Sequence, residues 1–377
     1  MTADTLEIHL VNSTSSSDVF ATVTGLAIDK ANSWLLLQAD GKTPYYPLSP
    51  KEILQPLSED CAISLGAPGE TRVITIPRIA GGRIYLSIGR PITFLLNPGP
   101  ALVEPSVTNP TDANYQTNWS FMEFTYNHDQ LYANISYVDF VGFPIALSLT
   151  TSTGAEKRVL GLSRGGPTKV AEGLLSQQQQ DGQKWGDLIV KDESGELLRI
   201  LSPNQGMVLN PALFAHYFEP YVDRVWSHYC SHTLQIDTQC HHGVVSGTVD
   251  SSGDHLVVDD LQFTKPTTKD IFSASSGPFQ TGTDAKRNAI IPRLNAELNR
   301  SVMLHCDCEI PSRNRERYYK NEITNHYARL VHEANVDGRG YAHPYDDVAA
   351  SGGEDHSGFV NDGAPQKLTV IVGGEAE

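Results

Sequence analysis

From the start of the chain to about residue 160, apolar and polar positions alternate in short runs broken by turn residues: EIHLVN, FATVTGLAI, SWLLLQ, RVITIP, GRIYLSIG, ITFLL, SFMEFTYN, YANISYVDF and IALSLTT. Runs of this length, rich in β-branched and aromatic residues, predict successive strands packed as a sandwich or barrel. The period then lengthens. TKVAEGLLSQQQQD (168–181) and PALFAHYFEPYVDRVWSHY (211–229) carry apolar side chains at helical spacing. In the second, Phe214, Phe218, Tyr221, Val222 and Val225 form one stripe, so both segments predict helices. LIVKD, RILS, HTLQID and VVSGTV read as strands, 284–299 and 324–335 as two further helices, and the closing KLTVIVGG as a strand returning to the first sheet. The expected fold is β-rich α+β. A discontinuous β domain (1–160 with 300–377) would enclose a mixed α/β domain (161–299).

Composition narrows the function. At 377 residues the chain is long enough for one large domain or two tightly packed ones. Lys and Arg number 28 against 44 Asp and Glu, so the formal charge is 28 − 44 = −16, a field that repels phosphate backbones and anionic lipid. Neither nucleic acid nor a membrane is an expected partner. The longest apolar run, Phe140 to Leu149, is interrupted by Gly142, Pro144 and Ser148. It falls well short of the roughly 20 residues a spanning helix needs. MTADTLEIHLVNSTSSS lacks the basic and apolar regions of a signal peptide, so location stays open between an intracellular protein and an extracellular mature form. Five cysteines leave at least one unpaired.

The stretch Trp119 to Phe140 holds the candidate chemistry. Period-two alternation places Glu123, Thr125 and Asn127 on one face of a strand, and Tyr137 and Asp139 together on the next. A carboxylate followed by a hydroxyl and an amide suits sugar hydroxyls. A carboxyl pair suits glycosidic cleavage, in which one stays protonated to assist the leaving oxygen while the other ionises. The same pattern equally describes the wet face of an antiparallel sheet. In a tight hairpin turning at Asp129, Glu123 would face Ile135 and Asp139 would lie about 13 Å further along the sheet, beyond the ~6.5–9.5 Å of an inverting pair.

Other motifs point less sharply. Cys240-His241-His242 and His305-Cys306-Asp307-Cys308 carry zinc-ligand residue types. On strands, however, adjacent side chains diverge and no C-x2–4-C pair is present, so buried free cysteines are the expected reading. Ser163-Arg164-Gly165-Gly166, Gly81-Gly82 and Gly352-Gly353 read as turns. His326 and His332 lack H-E-x-x-H spacing. After the predicted helix at 324–335, Tyr341, Tyr345, Asp346 and Asp347 form either a solvated turn or a sugar-binding lip, and Trp119, Tyr132 and Tyr137 pose the same choice.

GGRIYLSIGRPITFLLNPGPALVEPSVTNPTDANYQTNWSFMEFTYN, LYANISYVDFVGFPIALSL, HYFEPYVDRVWSHY, IIPRLNAELNRS and TNHYARLVHEANVDGRGYAHPYDDV together resemble the fungal branch of glycoside hydrolase family 64, the thaumatin-like endo-β-1,3-glucanases. The resemblance implies a thaumatin-like β domain, a mixed α/β domain and a wide groove between them for β-1,3-glucan or its oligosaccharides. It implies inverting hydrolysis without metal or cofactor. By the same resemblance Glu123 would be the general acid and Asp139 the general base, with Thr125, Asn127, Tyr132, Tyr137, Tyr341, Tyr345, Asp346 and Asp347 lining glucose subsites. His343 stands where the family pattern more often has an aromatic residue. Two alternatives remain for such a fold: a glucan-binding protein without turnover, and an acid/base catalyst redirected to a small metabolite. A monomer is expected.

Overall fold

The computed structural model describes residues 1–304, 309–354 and 356–374. The first 160 residues form β1 (Thr5–Asn12), β2 (Val19–Ala27), β3 (Ser33–Leu37), β4 (Thr71–Pro77), β5 (Ile79–Ile88), β6 (Asn118–Tyr126), β7 (Leu131–Ile135), β8 (Phe140–Val141), β9 (Ile145–Thr151) and β10 (Glu156–Val159), besides several two- and three-residue strands. Then follow α1 (Gly166–Asp181), β11 (Ile189–Lys191), β12 (Leu197–Leu201), α2 (Pro203–Leu209) and α3 (Glu219–Tyr229). Next come β13 (Leu234–Asp237), β14 (Val244–Val249), β15 (His255–Val258), β16 (Leu261–Thr264), α4 (Thr268–Ser273) and α5 (Ala285–Asn299). The described chain ends with β17 (Glu309–Ile310), α6 (His326–Ala334), β18 (Phe359–Asp362) and β19 (Pro365–Val372).

Two sheets dominate. In the five-stranded one the order is β10-β9-β19-β1-β4, so the closing run does return to the first strand, lying parallel to β1 and antiparallel to β9. In the other, β18-β7-β6-β5-β2-β3 run in order towards Pro44–Tyr45, with Ile63–Ser64 paired on β2. Alternation does the expected work: Leu6, Ile8 and Leu10 of β1 join Ile74, Ile76, Leu368 and Val370 in one core with Val23, Ile84, Met122 and Ile135 of the larger sheet. A third sheet, β16-β15-β14-β13-β17, and a small one, β8-β12-β11, belong largely to the middle of the chain. α6 packs on α1. No helix among the described residues is long and apolar enough to cross a membrane.

Several expected features differ. YANISYVDF is not one strand: β7 ends at Ile135, the Tyr137 amide donates to the Tyr341 carbonyl at 2.8 Å, and β8 joins another sheet by pairing with β12. The hairpin register is shifted by one, setting Glu123 opposite Asn134 instead of Ile135. The cause is the turn, where Asn127 Oδ1 accepts from the amides of Asp129 and Gln130 at 2.9 Å and closes a loop centred between His128 and Asp129. The helix expected from 211 begins only at Glu219, because Phe214 and His216 adopt left-handed φ angles of 58° and 60°. Of the described cysteines only Cys61 is buried; Cys230 and Cys240 are exposed, and His305-Cys306-Asp307-Cys308 lies outside the described residues.

Gly81-Gly82 is also not a turn. It is an irregularity within β5, where the pairing skips a residue against both neighbours, between Thr24 and Leu26 on β2 and between Phe124 and Tyr126 on β6. Gly81 takes a φ of 53°, and a Cβ at Gly82 would stand 2.5 Å from the Phe124 ring. Gly82→Ala therefore overpacks this bend, and urea denaturation should show a loss of roughly 1–3 kcal/mol. Unchanged stability would mean that the Phe124 ring yields freely.

Candidate active site

Two adjacent rows of the larger sheet have opposite characters. Val23, Ile84, Met122 and Ile135 pair across four strands on the face turned to the core. The next row, Thr24, Arg83, Glu123 and Asn134, pairs across the same strands and points the other way, as the pleat requires. Along β6 this second face starts apolar and turns polar. Trp119 and Phe121 are buried among Tyr85, Phe94 and Phe140, with the Tyr85 and Phe121 rings stacked at 5.9 Å, whereas Glu123 and Thr125 are half-exposed.

Arg83 organises the polar row. Its Nε and Nη2 both lie 3.2 Å from Glu123 Oε1, and its Nη1 lies 3.2 Å from Glu104 Oε1, which also accepts from the Tyr85 hydroxyl at 2.6 Å. One guanidinium thus holds two carboxylates above an aromatic floor, with its own carbon 5.4 Å from the Phe121 ring centre. Burial pushes the Glu123 carboxyl above its usual pKa; Arg83 opposes the shift, while Asp139 and Glu104 add to it.

Glu123 opens into a cavity of about 570 Å³ that Arg83, Thr125, Tyr132, Asn134, Tyr341 and Asp347 also line. Asp139 opens into an adjoining cavity of about 210 Å³ with Gln205 and Phe140, and Arg83 lines this one too. Asp139 reaches this position because the chain leaves β7 and crosses to β8. Its backbone carbonyl accepts from the Ser202 amide at 2.9 Å, and its Oδ1 accepts from Gln205 Nε2 at 2.6 Å. A carboxyl whose pKa burial raises and a second carboxyl thus open into two cavities that share one cation.

The remaining expected residues separate into three groups. Thr125, Tyr132, Tyr341 and Asp347 share the larger cavity, where the Tyr341 hydroxyl donates to Asp347 Oδ1 at 3.0 Å and the Tyr132 ring stacks on Phe359 at 5.0 Å. Asn127 closes the hairpin turn, and Tyr345 packs partly buried against the core with a φ of 64°. Tyr137 and Asp346 are corrected outright as cavity-lining residues. Tyr137 is buried with its hydroxyl 3.4 Å from Asn335 Oδ1, a consequence of the chain turning inward after Ile135.

Asp346 is fully buried. Its Oδ2 accepts from the Ala342 amide and sits 3.0 Å from His332 Nε2, while its Oδ1 lies 3.2 Å from Arg300 Nη2 and 3.1 Å from His343 Nε2. Despite the burial, His343 and His332 hold its carboxyl well below the usual range. His343 is therefore a partner of this buried acid. The network fixes the segment that presents Tyr341 and Asp347.

Sequence reasoning missed Arg83, Glu104, Asn134 and Gln205. The first was accessible, since alternation within RIYLSI places Arg83 with Tyr85, whereas Asn134 comes beside Glu123 only in the register that the Asn127 turn sets. Glu104 and Gln205 come from a loop after a three-residue strand and from the first turn of α2, with no local signal of their destination.

Residues 4–372 match glycoside hydrolase family 64, described as β-1,3-glucanase, and the chain belongs to that family. It is 27% identical over 307 residues to a glucan endo-1,3-β-glucosidase of Cellulosimicrobium cellulans, covering 79% of this chain and 53% of that protein. The chain thus spans about half the length of the curated relatives it matches. A crystal structure of a laminaripentaose-producing β-1,3-glucanase in complex with laminaritetraose superposes with a TM-score of 0.85 at 27% identity, covering 98% of this chain and 99% of that one. A β-1,3-glucanase domain from Clostridium beijerinckii gives a TM-score of 0.76 at 22% identity, covering 98% of each chain, which speaks to the fold alone. The relatives whose source is named are bacterial, so they lend no support to the narrower fungal assignment.

Because Arg83 is the group that pulls the Glu123 pKa down against burial, Arg83→Met should move it further up. A carboxyl-carbon NMR titration of the intact protein reads this directly. A downward or absent shift would remove Arg83 from control of that carboxyl.

Proposed function

We propose that the chain is an inverting endo-β-1,3-glucanase in which Glu123 is the general acid and Asp139 the general base. The observation that carries this reading is the pair of carboxyls on adjoining cavities that share Arg83, one of them raised in pKa by burial. Glu123, protonated to a higher pH than an exposed glutamate, delivers its proton to the departing glycosidic oxygen. Asp139, oriented by the Gln205 amide, takes a proton from a water that attacks the anomeric carbon from the opposite side. The product then carries the inverted configuration. The two carboxyls supply both proton transfers, so the reaction needs no cofactor.

Tyr132 and Tyr341 offer ring faces to glucose units, and Thr125, Asn134 and Asp347 offer hydrogen bonds to hydroxyls. We read these cavities as part of a wide groove between a thaumatin-like β domain (1–160 with 300–377) and the mixed domain (161–299). Gln205 of the second reaching Asp139 of the first supports that reading. The neighbour solved with laminaritetraose supports β-1,3-glucan as the ligand, and an uncharged polysaccharide is compatible with a net charge of −16.

The purified chain should release short oligosaccharides from laminarin, and proton NMR of the first product should show the α-anomer. Glu123→Gln and Asp139→Asn should each lower kcat by about 10²–10⁴-fold without loss of fold. Near-wild-type rates in both variants would exclude these residues, and initial β-anomer would exclude inversion. Laminarin affinity by calorimetry with no reducing ends released would make the protein a glucan-binding module instead.

A further inference from the structure

β13 and β14 are joined by a turn at Thr238–Gly243, in which the Thr238 amide donates to the Gly243 carbonyl at 3.1 Å and the Gly243 amide donates to the Cys240 carbonyl at 3.0 Å. Gln239 takes a left-handed φ of 54°. Cys240, His241 and His242 therefore sit on a tight turn, and the strand alternation that would send their side chains apart does not apply. One ligand atom from each, the Cys240 sulfur and a ring nitrogen of each histidine, lies within 4.8 Å of the other two. The two imidazole centroids are 3.9 Å apart.

Two further observations mark the turn as built for a ligand. His242 Nε2 is shielded from solvent and has no hydrogen-bond partner, an arrangement that costs about 1–3 kcal/mol when nothing compensates it. The turn is also fastened to its surroundings. Gln239 Nε2 donates to the Ala349 carbonyl at 2.6 Å, Arg293 Nη2 donates to Gln239 Oε1 at 2.8 Å, and the Ser351 hydroxyl donates to Asp237 Oδ2 at 2.9 Å.

We propose that Cys240, His241 and His242 form a binding site for a borderline-soft divalent cation of the zinc class. A thiolate and two imidazoles suit zinc or cobalt and do not suit magnesium or calcium, which take oxygen ligands. Bond lengths of about 2.3 Å to sulfur and 2.0–2.1 Å to nitrogen bring tetrahedral donors to roughly 3.5 Å from one another, so modest side-chain rotation at this exposed turn closes the site. Three protein ligands leave the fourth position to water. The Arg293 guanidinium nearby opposes a cation and Asp237 offsets it, which keeps the affinity below that of a closed four-ligand site.

The test uses cobalt(II) and zinc(II) with the full chain under reducing conditions. Cobalt should give a thiolate charge-transfer absorption that zinc abolishes at one equivalent. Cys240→Ser should eliminate the band, His242→Ala should weaken zinc at least about tenfold, and Cys230→Ser, at the other exposed thiol among the described residues, should change neither. Absence of the band in the unaltered chain, its persistence in Cys240→Ser, or an unchanged zinc affinity in His242→Ala would each overturn the site. Circular dichroism checks that each variant is folded.

Discussion

A sheet that carries arginine, glutamate and asparagine in one cross-strand row cannot be covered by an apolar layer at that row. Thr24, Arg83, Glu123 and Asn134 impose this constraint, and the architecture follows from it. The opposite face, one residue out of step, bears Val23, Ile84, Met122 and Ile135 and closes the core. The charged face stays open and forms a cavity floor. Where the same face must be sealed, β6 changes to Trp119 and Phe121, whose rings meet Tyr85 and Phe140. The bend at Gly81-Gly82 lies beside the polar row, at the place where local irregularity re-aims side chains.

The electrostatics depend on how one guanidinium is shared. Arg83 touches Glu104 and Glu123 at the same 3.2 Å, and a glutamate paired with an arginine in water would give up its proton more readily than a free one. Burial and the neighbouring carboxylates reverse that for Glu123. Asp346 is the counterexample within the same molecule. It is more deeply buried, yet its carboxyl is held low because His343 and His332 face it. Burial alone does not decide whether an acid keeps its proton; the count and sign of its partners do. The two acids accordingly serve different ends, one facing a cavity and the other fastening the segment that bears Tyr341 and Asp347.

Much of this was legible in the chain. Period-two runs located nearly every long strand, and helical spacing located α1, α5 and α6 within a few residues. Glu123 and Thr125 stood out because polar residues interrupt an apolar pattern. The failures share a cause, since each needed information from outside the local window. The side chain of Asn127, by choosing the turn, set a register that alternation could not choose. Asp139 required knowing that the chain leaves one sheet for another. Asp346 and Tyr137 read as exposed until residues far away in sequence, Arg300 and Asn335, closed over them. Periodicity set Asp139 far along the hairpin, whereas the chain carries it into a cavity that Arg83 also lines.

The central position of β19 bears on how the molecule is made. Lys367 pairs beside Glu7 and Val372 beside Asn12, so β1 waits for a partner some 360 residues downstream. Until that strand is synthesised, β1 and β9 each present an unpaired edge with an apolar face. Closing so long a loop taxes the folding rate far more than it taxes final stability. Nascent chains of this protein therefore pass through a stage in which sticky ribbon edges are held open, and keeping them apart from one another during translation is a task the finished architecture no longer reveals.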